Sequence, residues 1–226
     1  ENLTSACKEL QESEQFAKLL EIVLAIGNFL NSGRKSVHGF QLNSLVKLKD
    51  TKGNKTDLLE YIVSVIEKKY FDVFNFTEEL SHIEPAQRVA ITNIQSELAE
   101  LKTGLNLVNI EIEQFTQADP SDQFRTSMIE FIDFASEKID ELETNFQELQ
   151  SQISKLSVFY GEDEKKFKIE PFVNDINEFV KSFKFAYSEL ERKRDMERRK
   201  AEREKKKEKK DSDQPQERTT RTVMKK

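Results

Sequence analysis

The sequence is short of the residues that carry chemistry. It has one cysteine, two histidines, no tryptophan, four prolines and six glycines in 226 residues. The single cysteine, Cys7, excludes an internal disulfide and fits a reducing compartment. His38 and His82 are isolated, and no Cys/His spacing suits zinc. No glycine-rich loop follows a strand and opens a helix, so the phosphate-cradling motifs are missing. Carboxylates abound, but on highly charged helices they read as solvated faces rather than as enclosed acid–base pairs. These absences point away from an enzyme and from any cofactor or metal. No segment approaches the roughly 20 apolar residues needed to span a bilayer. The first ten residues, ENLTSACKEL, lack the basic-then-apolar pattern of a signal peptide. They begin with Glu1 rather than Met, so the chain reads as a piece of a longer protein.

What is present is charge, and it is unevenly placed. Hydrophobic residues make up 36% and charged residues 35%, the balance of long helices with broad solvated faces. Seventeen phenylalanines mean that the core, or a partner groove, leans on Phe. The net charge of −6 is split: residues 191–226 carry 16 Lys and Arg against 9 Asp and Glu, a net of +7, which leaves −13 on residues 1–190. An acidic body disfavours nucleic acid, whose binding rests on neutralised phosphates. The basic tail suits acidic partners or an anionic surface.

Helical spacing dominates the chain. Phe16, Leu19, Leu20, Val23, Ile26 and Leu30 recur on one face, and Asn31-Ser32-Gly33 reads as a helix end with Asn or Gly in the left-handed position. A loop to about His38, a short helix over FQLNSLVKLKD and a turn over TKGNKTD follow. Thr56 or Asp57 caps a helix carrying Leu58, Leu59, Ile62, Val65 and Ile66. Residues 71–76 read as an aromatic loop, and residues 78–83 as a short helix. Ile91, Ile94, Leu98, Leu101, Leu105, Val108, Ile112 and Phe115 then step alternately by three and four, the seam of a coiled coil. Asp119-Pro120-Ser121 breaks it. A second seam runs through Met128, Ile132, Ala135, Ile139, Leu142, Phe146, Leu149, Ile153, Leu156 and Tyr160 until Gly161 stops it. The two helices are expected to fold back antiparallel. After Glu170-Pro171 a third helix carries Phe172, Ile176, Phe179, Phe183 and Leu190. Its apolar side ends there, but charged helix formers with i,i+4 pairs continue it. From Asp211 the sequence reads as disordered. The expectation is all-α: an elongated helical bundle with long antiparallel coiled-coil-like helices, a body over residues 1–190, and a charged helical extension with a disordered basic tail over 191–226.

Residues 27–45, GNFLNSGRKSVHGFQLNSL, break this plain vocabulary. Glycine inside a helix costs about 1 kcal/mol against alanine, yet Gly27 sits on the apolar face of Val23, Ile26 and Leu30. Either it is a tolerated glycine near a helix end, or something packs against the backbone there. Asn28 and Asn31 offer donors and acceptors that suit a cap, a held loop or a partner's backbone. Gly39-Phe40 reads as a turn that aims an aromatic ring.

The stretch LLEIVLAIGNFLNSGRKSVHGFQLNSLVKLKDTK resembles the signature of the formin homology 2 domain: G-N-[YF]-[ML]-N-x-G, then G-F-x-[LI], a leucine pair and K-L-x-D-T-K. The downstream TDLLEYIVSVIEKKYFDV and FTEELSHIEPAQRV, and the helices to about Tyr187, are similar to the family too. The resemblance implies a diaphanous-like actin-assembly module that nucleates filaments and rides the barbed end as a head-to-tail dimer, in the cytoplasm on the actin cytoskeleton. It implies that an N-terminal lasso of each subunit wraps the C-terminal post of the other. The post positions map onto Gly27, Asn28, Phe29, Leu30, Asn31, Gly33, Gly39 and Phe40, and the actin-contacting basic position onto Lys52. Read without the family, Lys52 is an ordinary solvated lysine. By the same resemblance the lasso, the linker and most of the knob lie upstream of Glu1. The loop between Gly33 and Gly39 is shorter than in many relatives. Profilin would enter only through an upstream proline-rich segment. RTVMKK is too short for the autoinhibitory segment found in many relatives.

A rival reading makes the chain a structural coiled-coil adaptor that docks on membranes or microtubules through its basic tail. The seams and the tail fit both readings. Only residues 27–52 separate them. In the formin reading the tail is an accessory that strengthens contact with the filament's acidic side.

Overall fold

The computed structural model describes residues 1–32, 36–53, 56–114 and 123–212, with side chains through residue 205. The described residues are helical and contain no strand, only an isolated backbone bridge between Lys52 and Asp57. The elements are α1 (Asn2–Glu12), α2 (Glu14–Leu30), a 3₁₀ helix (Leu42–Asp50), α3 (Leu58–Lys69), a second 3₁₀ helix (Phe71–Asn75), α4 (Phe76–Glu79), α5 (Ile83–Ala86), α6 (Ile91–Gln114), α7 (Phe124–Phe159) and α8 (Ile169–Ser212).

The first half of α8 is the spine of the body. Ile169, Val173, Ile176, Phe179, Val180, Phe183 and Ala186 are buried at helical spacing. The first 3₁₀ helix, α3 and α5 pack on this stripe, the second 3₁₀ helix and α4 reach it through Phe74 and Phe76, and α2 joins by packing on those two elements and on α3. Phe76, fully buried, is the hub: its ring lies 6.0 Å from Phe16 of α2, 6.2 Å from Phe179 and 5.0 Å from Phe183, the last edge-on. Phe74 extends the cluster to Phe183 at 5.5 Å and Tyr187 at 4.6 Å. Such offset and edge-on pairs add to the burial of the rings themselves.

Caps explain the element boundaries. The Ser13 hydroxyl accepts from the Phe16 N–H (3.0 Å) and donates to Glu79 Oε2 (2.5 Å), so one residue starts α2 and ties it to α4. Asp57, not Thr56, caps α3 by accepting from Glu60 N–H at 2.7 Å. Gly161, at φ 68°, ends α7; Glu162 N–H reaches Ser157 O and Gly161 N–H reaches Val158 O, the paired bonds of a Schellman motif.

Two local expectations change. Residues 71–76 are helical rather than loop, because their aromatic rings are drawn onto α8. The expected helix over 78–83 is instead two single turns, α4 ending at Glu79 and α5 beginning at Ile83. Pro85 falls in the first turn of α5, where its missing N–H has no intrahelical acceptor to lose. Asn31 ends α2 at φ −95°, outside the left-handed region. Gly33, Phe115, the break at Asp119-Pro120-Ser121, and residues 213–226 of the expected disordered tail lie outside the described residues.

α1, which precedes the first periodic run, places Leu3, Ala6, Cys7 and Leu10 in the core. It is held by the Tyr160 hydroxyl donating to Leu10 O (2.6 Å), by Lys8–Glu148 (3.1 Å), and by Glu9, whose carboxylate takes the His82 N–H (2.9 Å) and the Ser81 hydroxyl (2.9 Å). Burial pushes the Cys7 thiol up to about 11 and the Tyr160 phenol well above its ordinary range.

α6 and α7 form the antiparallel hairpin, bridged by Lys102–Glu143 at 2.6 Å. The hairpin buries Ile112 and Ile139, and Leu149 joins the core of the body, where α7 meets α1, while Leu101 and Leu142 of the same seams stay half exposed. Two helices close only one side of a two-sided stripe.

Phe76→Ala is expected to cost about 3–5 kcal/mol in urea denaturation, because it empties the hub of the cluster. Phe71→Ala, at a ring 63% exposed, is expected to cost far less.

Candidate functional site

The C-terminal turn of α2 comes to the surface with its apolar side chains uncovered. Phe29 is 76% exposed and Leu30 58%. They stand over an open cleft of about 530 Å³, whose other walls are Thr51, Lys52, Gly53, Thr56 and Asp57 from the bridge and its turn, and Leu58 and Tyr61 from the start of α3. Tyr61, 49% exposed, adds a third uncovered ring or chain to the same opening. The cleft is a groove with an apolar floor, a phenol, and one cation at its edge.

A second, smaller hollow of about 180 Å³ lies on the other flank of the same helix end, where Gly27, Asn28, Asn31, Val37 and Phe40 meet. Ile26 and Leu58 line both hollows. The sequence-identified residues therefore divide. Phe29 and Leu30 serve the large cleft with Lys52, and Gly27, Asn28, Asn31 and Phe40 the small one. Gly39 lines neither.

The polar residues have assigned work. Asn28 holds the loop after α2 with a reciprocal pair: its Nδ2 donates to Val37 O and its Oδ1 accepts from Val37 N–H, both at 2.9 Å. Asn31 folds back on its own helix: its Nδ2 donates to Gly27 O at 3.0 Å, a carbonyl that also accepts the Asn31 backbone N–H at 3.0 Å. Phe40 is half-buried and packs against the core. Lys52 is exposed and has no ion-pair partner among the described residues.

The glycines separate cleanly. A Cβ on Gly27 or Gly39 would meet nothing within 4 Å among the described residues, so none of these requires either to be glycine. A Cβ on Gly53 would fall 2.8 Å from Thr56 O, at a turn closed by Gly53 N–H donating to that carbonyl at 2.9 Å. Gly53 is structural, because it lets the bridge close and shape the cleft wall. Sequence reading missed it, and missed Tyr61, whose place in the groove depends on α3 starting beside α2. No group of His, Cys, Asp and Glu among the described residues is arranged to hold a metal, and no described helix is long and apolar enough to cross a membrane.

Gly27→Ala is expected to raise the stability of this chain by about 0.5–1 kcal/mol in urea denaturation, the helix-propensity gain with no clash to offset it. Gly53→Ala is expected to lower it by about 1–3 kcal/mol, through overpacking against backbone. Asn28→Ala is expected to remove hydrogen-exchange protection at the Val37 amide while the global melt moves little.

The profile of the family described as Formin Homology 2 Domain matches residues 1–184. Protein diaphanous homolog 3 of Mus musculus is 35% identical over 198 residues, covering 85% of this chain and 17% of its own length. Protein diaphanous homolog 2 of Homo sapiens is 36% identical over 199 residues, 86% of this chain and 18% of its own. Formin-F of Dictyostelium discoideum is 35% identical over 199 residues, 86% of this chain and 16% of its own. The chain thus spans less than a fifth of the length of these relatives. The match begins at residue 1, runs through the groove and the hairpin, and ends within the spine of α8; this chain belongs to the formin homology 2 family.

Proposed function

We propose that this chain is the actin-binding, C-terminal portion of a formin's actin-assembly domain, working on the actin cytoskeleton in the cytoplasm. It breaks and makes no covalent bond. Its mechanism is templating: two such domains, joined head to tail, hold actin subunits in a filament-like arrangement, and stepping between bound states keeps the pair on the growing barbed end. The observation that carries the reading is the uncovered Phe29, Leu30 and Tyr61 around one cleft. Three large apolar side chains left in water beside a preformed hollow are what a partner segment's apolar anchor needs.

In this reading the groove takes the lasso of a second copy. Gly27 leaves room at the helix surface, Asn28 fixes the loop that borders it, and Gly33, Gly39 and Phe40 belong to the same receiving surface. Lys52, at the rim and uncommitted to any described carboxylate, supplies a cation for actin. Profilin would act through a proline-rich segment elsewhere in the longer protein. The family membership supports the actin assignment over the adaptor reading.

The test is seeded actin elongation at single filaments, using the protein extended by its native upstream segment. Lys52→Asp is expected to weaken barbed-end association about ten-fold, mostly through the on-rate, with helicity unchanged by circular dichroism. Gly27→Ala in the same protein is expected to lower dimer affinity even though it stabilises the fold. Unaltered elongation with Lys52→Asp would remove Lys52 from the actin contact, and an unaltered dimer with Gly27→Ala would remove Gly27 from the lasso groove.

A further inference from the structure

α8 does not end with the body. It runs 44 residues, from Ile169 to Ser212, about 66 Å at 1.5 Å per residue. Beyond Leu190 it is charged, and its root is fixed. Lys193 pairs with Glu60 at 2.7 Å, and the Arg194 guanidinium pairs with Glu67. Two adjacent residues of α8 thus reach carboxylates seven apart on α3, so α8 crosses that helix and is pinned on both sides of the crossing. The helix continues for another 18 residues, about 27 Å, and residues 195–205 are all exposed.

The charges on this arm are sorted by face. Phe185, Arg192, Met196, Arg199 and Arg203 follow one another by seven, four, three and four residues, which places them on one stripe of the helix. That stripe lies opposite the side carrying the buried Phe179 and Phe183. Phe185 is 68% and Met196 55% exposed. Arg192 is paired with Glu189 at 2.6 Å, while Arg199 and Arg203 have no ion-pair partner among the described residues. Glu189 borders the stripe and is the carboxylate that Arg192 neutralises, whereas Glu191, Asp195, Glu197, Glu202 and Glu204 fall on other sides of the helix.

We propose that this outward stripe docks on an anionic lipid surface. Clustered basic residues on an exposed helix are drawn to anionic headgroups. The two uncovered apolar side chains sit where they would enter the headgroup layer. A second copy packed stripe to stripe would set arginine against arginine. A protein partner would need apolar anchors in pockets; between residues 191 and 205 the stripe has only Met196, 55% exposed. The −13 charge of residues 1–190 is answered by the placement of the core on the other side of α8. A helix is about 10 Å thick with its side chains, so much of the acidic body stands farther from the lipid than the ~8 Å screening length at physiological salt.

The experiment is co-sedimentation of this chain with vesicles of phosphatidylcholine, with and without phosphatidylserine. Binding is expected only with phosphatidylserine, and it should weaken as salt rises. R199Q/R203Q is expected to lower the affinity roughly 30-fold, at about five-fold per arginine, with helicity unchanged. R198Q/K205Q, which removes the same charge from another side of the helix, is expected to cost only a few-fold. No binding to phosphatidylserine vesicles would overturn the proposal. Equal losses from the two double variants would also overturn it, since net charge rather than a face would then be responsible. So would pelleting with filamentous actin that depends on Arg199 and Arg203 while vesicles are ignored.

Discussion

The body is organised by the packing of aromatic rings onto one helix. Several of its elements are too short to stand alone: α4 and α5 are single turns, and two others are 3₁₀ helices. Helix formation has a costly nucleus, so such turns persist only where tertiary contacts hold them. Phe76 supplies that contact for α4, Phe74 for the second 3₁₀ helix, and Phe16 brings α2 to the same point. With no tryptophan in the chain, a string of phenylalanines performs the space-filling that one or two larger rings would. The cluster also fixes the relation of α2 to α3, and hence the cleft between their exposed ends.

That cleft shows two uses of glycine side by side. Gly53 is required by the chain's own backbone, whereas Gly27 is not, and a helix would be better off with alanine there. The proposed lasso contact would account for a glycine that weakens its helix while no described residue needs it. Asn28 acts in the same direction: its reciprocal bonds to Val37 hold a bordering loop in place before any partner arrives. Order already present in the free protein lowers the entropy lost on binding.

The long helices were legible because three-four spacing over many turns is hard to mistake. Gly161 marked the end of α7, and the Thr56-Asp57 pair the start of α3, for reasons of backbone geometry and capping that hold in any context; which of the pair caps is decided by the bond from Glu60 N–H to Asp57. α1 escaped the periodic reading, because its core face is built from Leu3, Ala6, Cys7 and Leu10, two of them small. The turns at 71–86 were misjudged because their conformation is set by α8, about a hundred residues away. A seam, likewise, records which residues want to leave water but not how many helices will cover them, as the half-exposed Leu101 and Leu142 show. Within the site, the motif positions could be found in order along the chain. Their division between two hollows could not, nor could the arrival of Tyr61 and Gly53 from elsewhere.

Cys7 has a consequence of a different kind. It is the chain's only thiol, it is wholly buried on α1, and its surroundings keep it protonated. Its neighbours along α1 are tied by a handful of polar contacts to α7 and to the turn before α5. A thiol reagent can reach it only when those ties open. The labelling rate of unmodified protein therefore clocks how often the first helix leaves the body, with no probe engineered into the molecule.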